Sequence, residues 1–192
     1  MLKNIYIILA VICTAMCVTF SSCKKDKEDD NTDITEAFKD SMSSEEIKLY
    51  KLLMEYRKEK GLPTIPISNS LNFVAQTHVK DLHENFIYSN SCNMHSWSDK
   101  GNWTACCYTS DHAQAKCMWT KPMELTSYKG YGYEIAHIGG TTAESALNGW
   151  KNSSAHNAVI INEGLWQSKW NAIGIGMYKS YSVVWFGREL DE

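Results

Sequence analysis

Net charge is what this chain most lacks. Over 192 residues, 19 Lys and Arg stand against 22 Asp and Glu, a formal −3. Much of that imbalance sits in one stretch, residues 24–42, where four Lys face seven acidic side chains. From residue 43 onward the charges nearly cancel, which excludes the basic footprint of a nucleic-acid-binding domain. Also missing are any Cys-x-x-Cys pair, any internal repeat, and the Ser-His-Asp or Cys-His spacing of a recognised hydrolase. The first absence argues against the common zinc-binding frames, and the last leaves no motif for a side-chain nucleophile. Beyond residue 20 there is no long apolar run either.

What is present begins with an export leader. Lys3 opens a short positive region, and Ile5 to Phe20 is an almost uncharged apolar run. It falls short of the roughly 20 residues of a permanent membrane span, and small residues follow it, as at a cleavage site. The ending Phe20-Ser21-Ser22-Cys23 resembles a bacterial lipobox, with Phe20 where Leu is usual. That resemblance implies removal of residues 1–22 and acylation of Cys23, with plain secretion as the alternative. Residues 23–42 have the composition of a polar tether, and their acidic start resembles the surface-export signals of Bacteroidetes-type lipoproteins. The expected location is the outer membrane or cell surface, held by lipid; the periplasm or secretion is the alternative.

The folded domain is expected over 43–192, where 44% apolar composition and seven Trp in the whole chain suffice for a substantial core. Four thiols remain in it: Cys92, Cys106, Cys107 and Cys117. In an exported protein they read as disulfides. A bond between neighbours Cys106 and Cys107 would be strained, so two bridges are expected, each using one of that pair, with the partners left open.

Local patterns set the elements. Ser43-Ser44-Glu45-Glu46 is a capping box, followed by an apolar stripe through Ile47, Tyr50, Leu53 and Met54 that stops at Gly61-Leu62-Pro63. A second helix starts near Ser68 or Ser70, with Leu71, Val74, Ala75, His78, Val79 and Leu82 on one face. Residues 89–132 have no steady period and read as a long loop region. Thr141 or Thr142 caps a third helix through Trp150. Ala172–Tyr178 and Tyr181–Phe186 read as buried strands joined at Lys179-Ser180.

Tyr131-Gly-Tyr-Glu-Ile-Ala136, Thr141 to Leu147, Trp150-Lys-Asn-Ser-Ser-Ala-His156 and Ile160-Ile-Asn162 follow one another in an order that resembles the CAP superfamily. These are the cysteine-rich secretory, antigen 5 and pathogenesis-related-1 proteins, and the likeness is to their bacterial branch. Arg57 to Pro63 and Leu71 to Leu82 resemble two further motifs of that group. The resemblance covers roughly 45–188 and implies an α/β (α+β) fold, an α-β-α sandwich with a central antiparallel sheet.

It also implies a cleft. His95 and His156 match the family's two cleft histidines, which face two glutamates and can hold a divalent cation such as zinc. Here Tyr133 takes the usual glutamate position and Glu134 the position of the following Asn. The second glutamate falls on Ser153. The implied ligand cleft is His95, Tyr133, Glu134, Ser153 and His156. His95 and His156 are the metal candidates, and His95, Glu134 and His156 the catalytic ones. Since neighbouring strand residues point to opposite faces, Glu134 is expected to reach the cleft only if the strand is bulged. Glu144 reads as a first-turn residue favoured by the helix dipole, His78 as a satisfied core histidine, and His83, His112 and His137 as surface or loop groups, with His137 near enough to edge the cleft. The Trp residues could form a carbohydrate platform, but core and loop-pinning roles account for most of them. A binding protein for an extracellular lipid, glycan or protein is favoured. A metal-assisted hydrolase or peptidase using the same cleft is the alternative.

Overall fold

The computed structural model describes residues 37–38, 40–87 and 91–192. The leader, Cys23 and most of the tether lie outside the described residues.

Helix α1, Ser44–Glu59, starts where the capping box sets it. The Ser43 hydroxyl accepts from the Glu46 amide, and the Glu46 carboxylate accepts from the Ser43 amide. Helix α2, Asn69–Asn85, is capped by Ser68, whose hydroxyl accepts from the Leu71 amide at 2.9 Å. Two short helices follow, α3 at Ala115–Trp119 and α4 at Lys121–Leu125. Strand β1 is Gly132–Ile138, then come α5, Ala143–Lys151, and α6, Ser154–Ile160. A 3-10 turn at Gly164–Trp166 leads to strands β2, Ala172–Tyr178, and β3, Tyr181–Gly187. The expected long loop of 89–132 therefore contains two helical turns, and the expected β2–β3 turn at Lys179-Ser180 is present.

The sheet has the order β1-β3-β2, antiparallel throughout. Helix α2 covers one face with Leu71, Val74, Ala75 and Val79 against Ala136, Val183 and Trp185. It lies so close that a Cβ on Gly174 would meet the Leu71 backbone at 2.0 Å. Helices α1, α5 and α6 cover the other face, packing Leu49, Leu53, Trp150 and Ile160 onto Ile135, Ile173, Ile175, Val184 and Phe186. The result is the α-β-α sandwich.

The two sheet edges are treated differently. Along β2, the Ile173, Ile175 and Met177 amides donate to Pro66 O, Asn72 Oδ1 and Glu46 Oε1. That closes the edge against further pairing. Along β1, the Ala136 carbonyl accepts from Trp150 Nε1 at 3.1 Å. That bond ties the β1 edge to α5.

Two disulfides, Cys92–Cys107 and Cys106–Cys117, staple the region before β1. Each uses one of the adjacent pair, and their presence fits an oxidising compartment.

Candidate functional site

β1 pairs with β3 residue for residue, Tyr133 opposite Phe186 and Glu134 opposite Trp185, without a bulge. Regular alternation then sends Tyr133 to the face of α1 and α6, and Glu134 to the face of α2. Glu134 nevertheless reaches the histidines, because they too approach from the α2 side. Its side chain is fully buried. One oxygen, Oε2, lies 2.5 Å from His78 Nδ1, and the other, Oε1, lies 2.8 Å from His95 Nδ1.

A buried carboxylate is tolerated only when both oxygens are satisfied, and His78 supplies the charge as well. Its Nε2 lies 3.0 Å from the Ser96 carbonyl, an acceptor only, so that nitrogen carries a proton. Its Nδ1 faces a carboxylate and carries the other. The network thus assigns His78 as an imidazolium. Burial opposes that charge, but the facing Glu134 carboxylate and its hydrogen bond outweigh burial and raise the His78 pKa. Burial likewise opposes ionisation of Glu134, yet His78 and the hydrogen bond from His95 hold it below the usual carboxylate value. Trp97 stacks flat on the His78 ring, with centroids 4.3 Å apart, and Trp185 meets it edge-on.

His95 is the exposed end of this chain of groups, its side chain 19% accessible. Donation from Nδ1 to Glu134 fixes the tautomer of the neutral ring and leaves the Nε2 lone pair free to accept. The loop that carries it is held at several points. The His95 amide donates to Asn93 Oδ1, and the Ser98 amide to Asp81 Oδ2 on α2. Trp97 and Cys106 exchange both backbone hydrogen bonds.

His156 enters from the other layer, on the first turn of α6. Burial holds its pKa below the ordinary value, with His95 and His137 lowering it further and Glu134 opposing them. Those four groups therefore lie within electrostatic reach of one another. The far end of α6 is anchored by Arg57, which donates to the Ile160 carbonyl and to Asn162 Oδ1. Burial lowers the Arg57 pKa to about 10. His137 is half-buried, and burial lowers its pKa. It packs on Gly149, where an added Cβ would come within 2.5 Å of the ring. Among the described residues its Nε2 is buried with no partner.

Ser153 is the N-cap of α6, but its side chain makes no capping bond. Tyr133 stands apart, among Trp119, Trp166 and Trp170. Glu144 pairs with Lys48 at 2.8 Å on the surface. The residue that sequence reasoning undervalued is His78. Its only signal was a titratable ring on an otherwise apolar helical stripe.

For a divalent cation such as zinc, the free donors are His95 Nε2 and the His156 ring. Glu134 has both oxygens on imidazoles and His78 has both nitrogens engaged. Catalytic zinc takes three protein ligands and structural zinc four. Among the described residues, no group of three or more His, Cys, Asp or Glu is arranged to hold a metal. The donor set does not fit a tightly held cation.

The comparisons with known proteins agree with this architecture. An outer surface protein of Borrelia burgdorferi superposes with a TM-score of 0.53 at 21% identity, over 77% of this chain and 96% of that one. An extracellular SCP-domain protein of Bacillus anthracis matches with a TM-score of 0.53 at 19% identity, over 74% of this chain and 39% of its own. A cysteine-rich secretory protein of Staphylococcus aureus also gives 0.53, at 18% identity, over 78% and 40%. This chain thus spans about two fifths of the length of the latter two. No curated protein matches. The model of the cysteine-rich secretory protein family matches residues 50–186, from the α1 stripe to the end of β3, and the chain therefore belongs to the CAP family.

Proposed function

We propose that this chain is an extracytoplasmic, surface-anchored CAP-domain lipoprotein that binds a ligand through the cleft between His95 and His156. The observation that carries the reading is the His78–Glu134–His95 series. A buried, internally neutralised pair holds His95 in one tautomer and turns its Nε2 lone pair outward, a preorganised acceptor. His156, kept neutral by burial, adds a second polar group. Two disulfides and the family's secretory character support the compartment. The acylated Cys23 rests on the sequence resemblance alone.

The test is a thermal-shift screen of lipids, glycans and peptides against the full chain, repeated with His95→Ala and His156→Ala. A hit whose affinity falls at least tenfold in each variant supports the cleft. A hit bound equally by all three proteins removes the cleft from the function.

One observation favours a second reading. A carboxylate behind a histidine whose other nitrogen is free is the base-and-orienter half of a hydrolytic site. In that reading His95 Nε2 takes a proton from water as it attacks a substrate carbonyl. Turnover of an ester or peptide panel that disappears in His95→Ala would select it over binding.

A further inference from the structure

The opposite face of β1 carries a second constellation. Arg188, just past β3, lays its guanidinium 5.1 Å from the centre of the Tyr133 ring and 5.8 Å from that of Trp170. Its Nε is buried with no hydrogen-bond partner, and among the described residues no carboxylate forms an ion pair with it. Unlike Nε, the terminal nitrogens of this half-buried side chain keep contact with solvent. Other rings adjoin Tyr133. Tyr133 lies 5.5 Å from Trp119 and 5.2 Å from Trp166, and Tyr131 lies 6.3 Å from Trp119. Tyr131 is 41% exposed, and Leu165 beside Trp166 is 91% exposed.

Trp119, Tyr131 and Trp166 thus extend a partly exposed aromatic surface from Tyr133, the ring that touches this unpaired cation. Fully buried Trp170 below them, with its Nε1 donated to Val159 O, already serves the core. Packing alone accounts for Trp170. It does not account for an unpaired guanidinium left on half-exposed rings, where a carboxylate fork is the natural partner.

We propose that Arg188 and the rings of Trp119, Tyr131, Tyr133 and Trp166 form a binding site for an acidic glycan. A uronate carboxylate pairs with the guanidinium while the C–H faces of neighbouring sugar rings lie against the aromatics. The surface argues for this occupant. The rings are tilted at 43° to 70° to one another, a stepped platform that suits a chain of successive rings. A single cation in a nearly neutral domain suits one carboxylate per register, whereas a densely sulfated chain needs a run of positive charge.

The test is affinity electrophoresis of the full chain through gels containing polygalacturonate, heparin, neutral dextran or poly-L-glutamate. Arg188→Gln, Tyr131→Ala and a Leu165→Ala control run alongside, each checked for folding by near-ultraviolet circular dichroism. The expected result is retardation by polygalacturonate alone, with the dissociation constant raised at least tenfold in folded Arg188→Gln and several-fold in Tyr131→Ala. The Leu165→Ala control should bind like the unsubstituted chain. Equal or stronger retardation by heparin or poly-L-glutamate would overturn the proposal, because the site would then read charge alone. So would equal retardation by dextran, no retardation by polygalacturonate, or unchanged binding in folded Arg188→Gln. Should Arg188→Gln fail to fold, Tyr131→Ala decides the matter by the same criterion.

Discussion

His78 and Glu134, 56 residues apart in the chain, form an ion pair whose side chains are both fully buried, with Nδ1 2.5 Å from Oε2. Breaking such a pair from one side leaves an uncompensated charge in the core. His78→Ala is therefore expected to lose about 3–5 kcal/mol in urea unfolding. Replacing both with apolar residues, as in His78→Leu with Glu134→Leu, should cost less than the sum of the two single changes. Strict additivity in that cycle would show that the imidazole and the carboxylate act independently.

The pH dependence of stability follows from the directions of the shifts. His78 is raised, so its contribution is complete below the unfolded value of about 6.5 and is lost as pH climbs through its folded pKa. Glu134 is lowered, so its share is present above the unfolded value of 4.5 and is lost as pH falls through its folded pKa. His137 and His156, also lowered, contribute above 6.5 and weaken the fold as acid charges them. Melting temperature against pH should therefore form a dome, with the alkaline limb belonging to His78. His156→Gln should flatten the acid limb between pH 6.5 and its own folded pKa. An unaltered acid limb would show that His156 does not titrate in the fold as described.

Removing Cys92–Cys107, with its separation of 15 residues, should cost about 3 kcal/mol, and Cys106–Cys117, with a separation of 11, slightly less. Urea midpoints of the paired Ser variants measure this. A loss near zero for either would mean that the loop is held by its aromatic contacts.

Zinc titrated calorimetrically into the full chain should give no one-to-one heat at micromolar concentrations. The His95→Ala, His156→Ala double variant should behave alike. Stoichiometric binding that the double variant abolishes would show that the cleft recruits a third ligand.

Radiolabelled palmitate should enter the chain in its native host and vanish in Cys23→Ala. Equal incorporation in the variant would leave secretion without an anchor as the reading.

The elements read most easily from sequence were those with local causes. The Ser43–Glu46 box starts α1, and the apolar stripe from Leu71 to Leu82 defines α2, because capping and period act within a few residues. The turns at 115–125 were not legible. They depend on Cys117 bonding to Cys106 and on buried Lys121, which pairs with Glu124 and sits over the Trp97 ring. The resemblance named His95, Glu134 and His156, yet motif alignment set Tyr133 at the usual glutamate position. Which face each residue takes is decided by the register of β1 against β3, a long-range fact that β1 alone does not carry. His78 was read as a satisfied core histidine, which its burial and two engaged nitrogens bear out, but its charge was not legible for a related reason. An apolar stripe explains a buried position, while the carboxylate that charges the ring comes from a distant strand.

The adjacency of Cys106 and Cys107 has a consequence for how the protein matures. Cys106 sits opposite Trp97 in a two-sided backbone bridge, with neighbouring Cys107 tied back to Cys92. An oxidant that exchanged the two sulfurs would close loops of nearly the same length, so chain entropy scarcely distinguishes right from wrong. Cys106 also holds the bridge to Trp97, whose indole stacks on the His78 ring, so mispairing puts that contact at risk. The stack of Trp97 on His78 is thus the local packing that favours the native pairing.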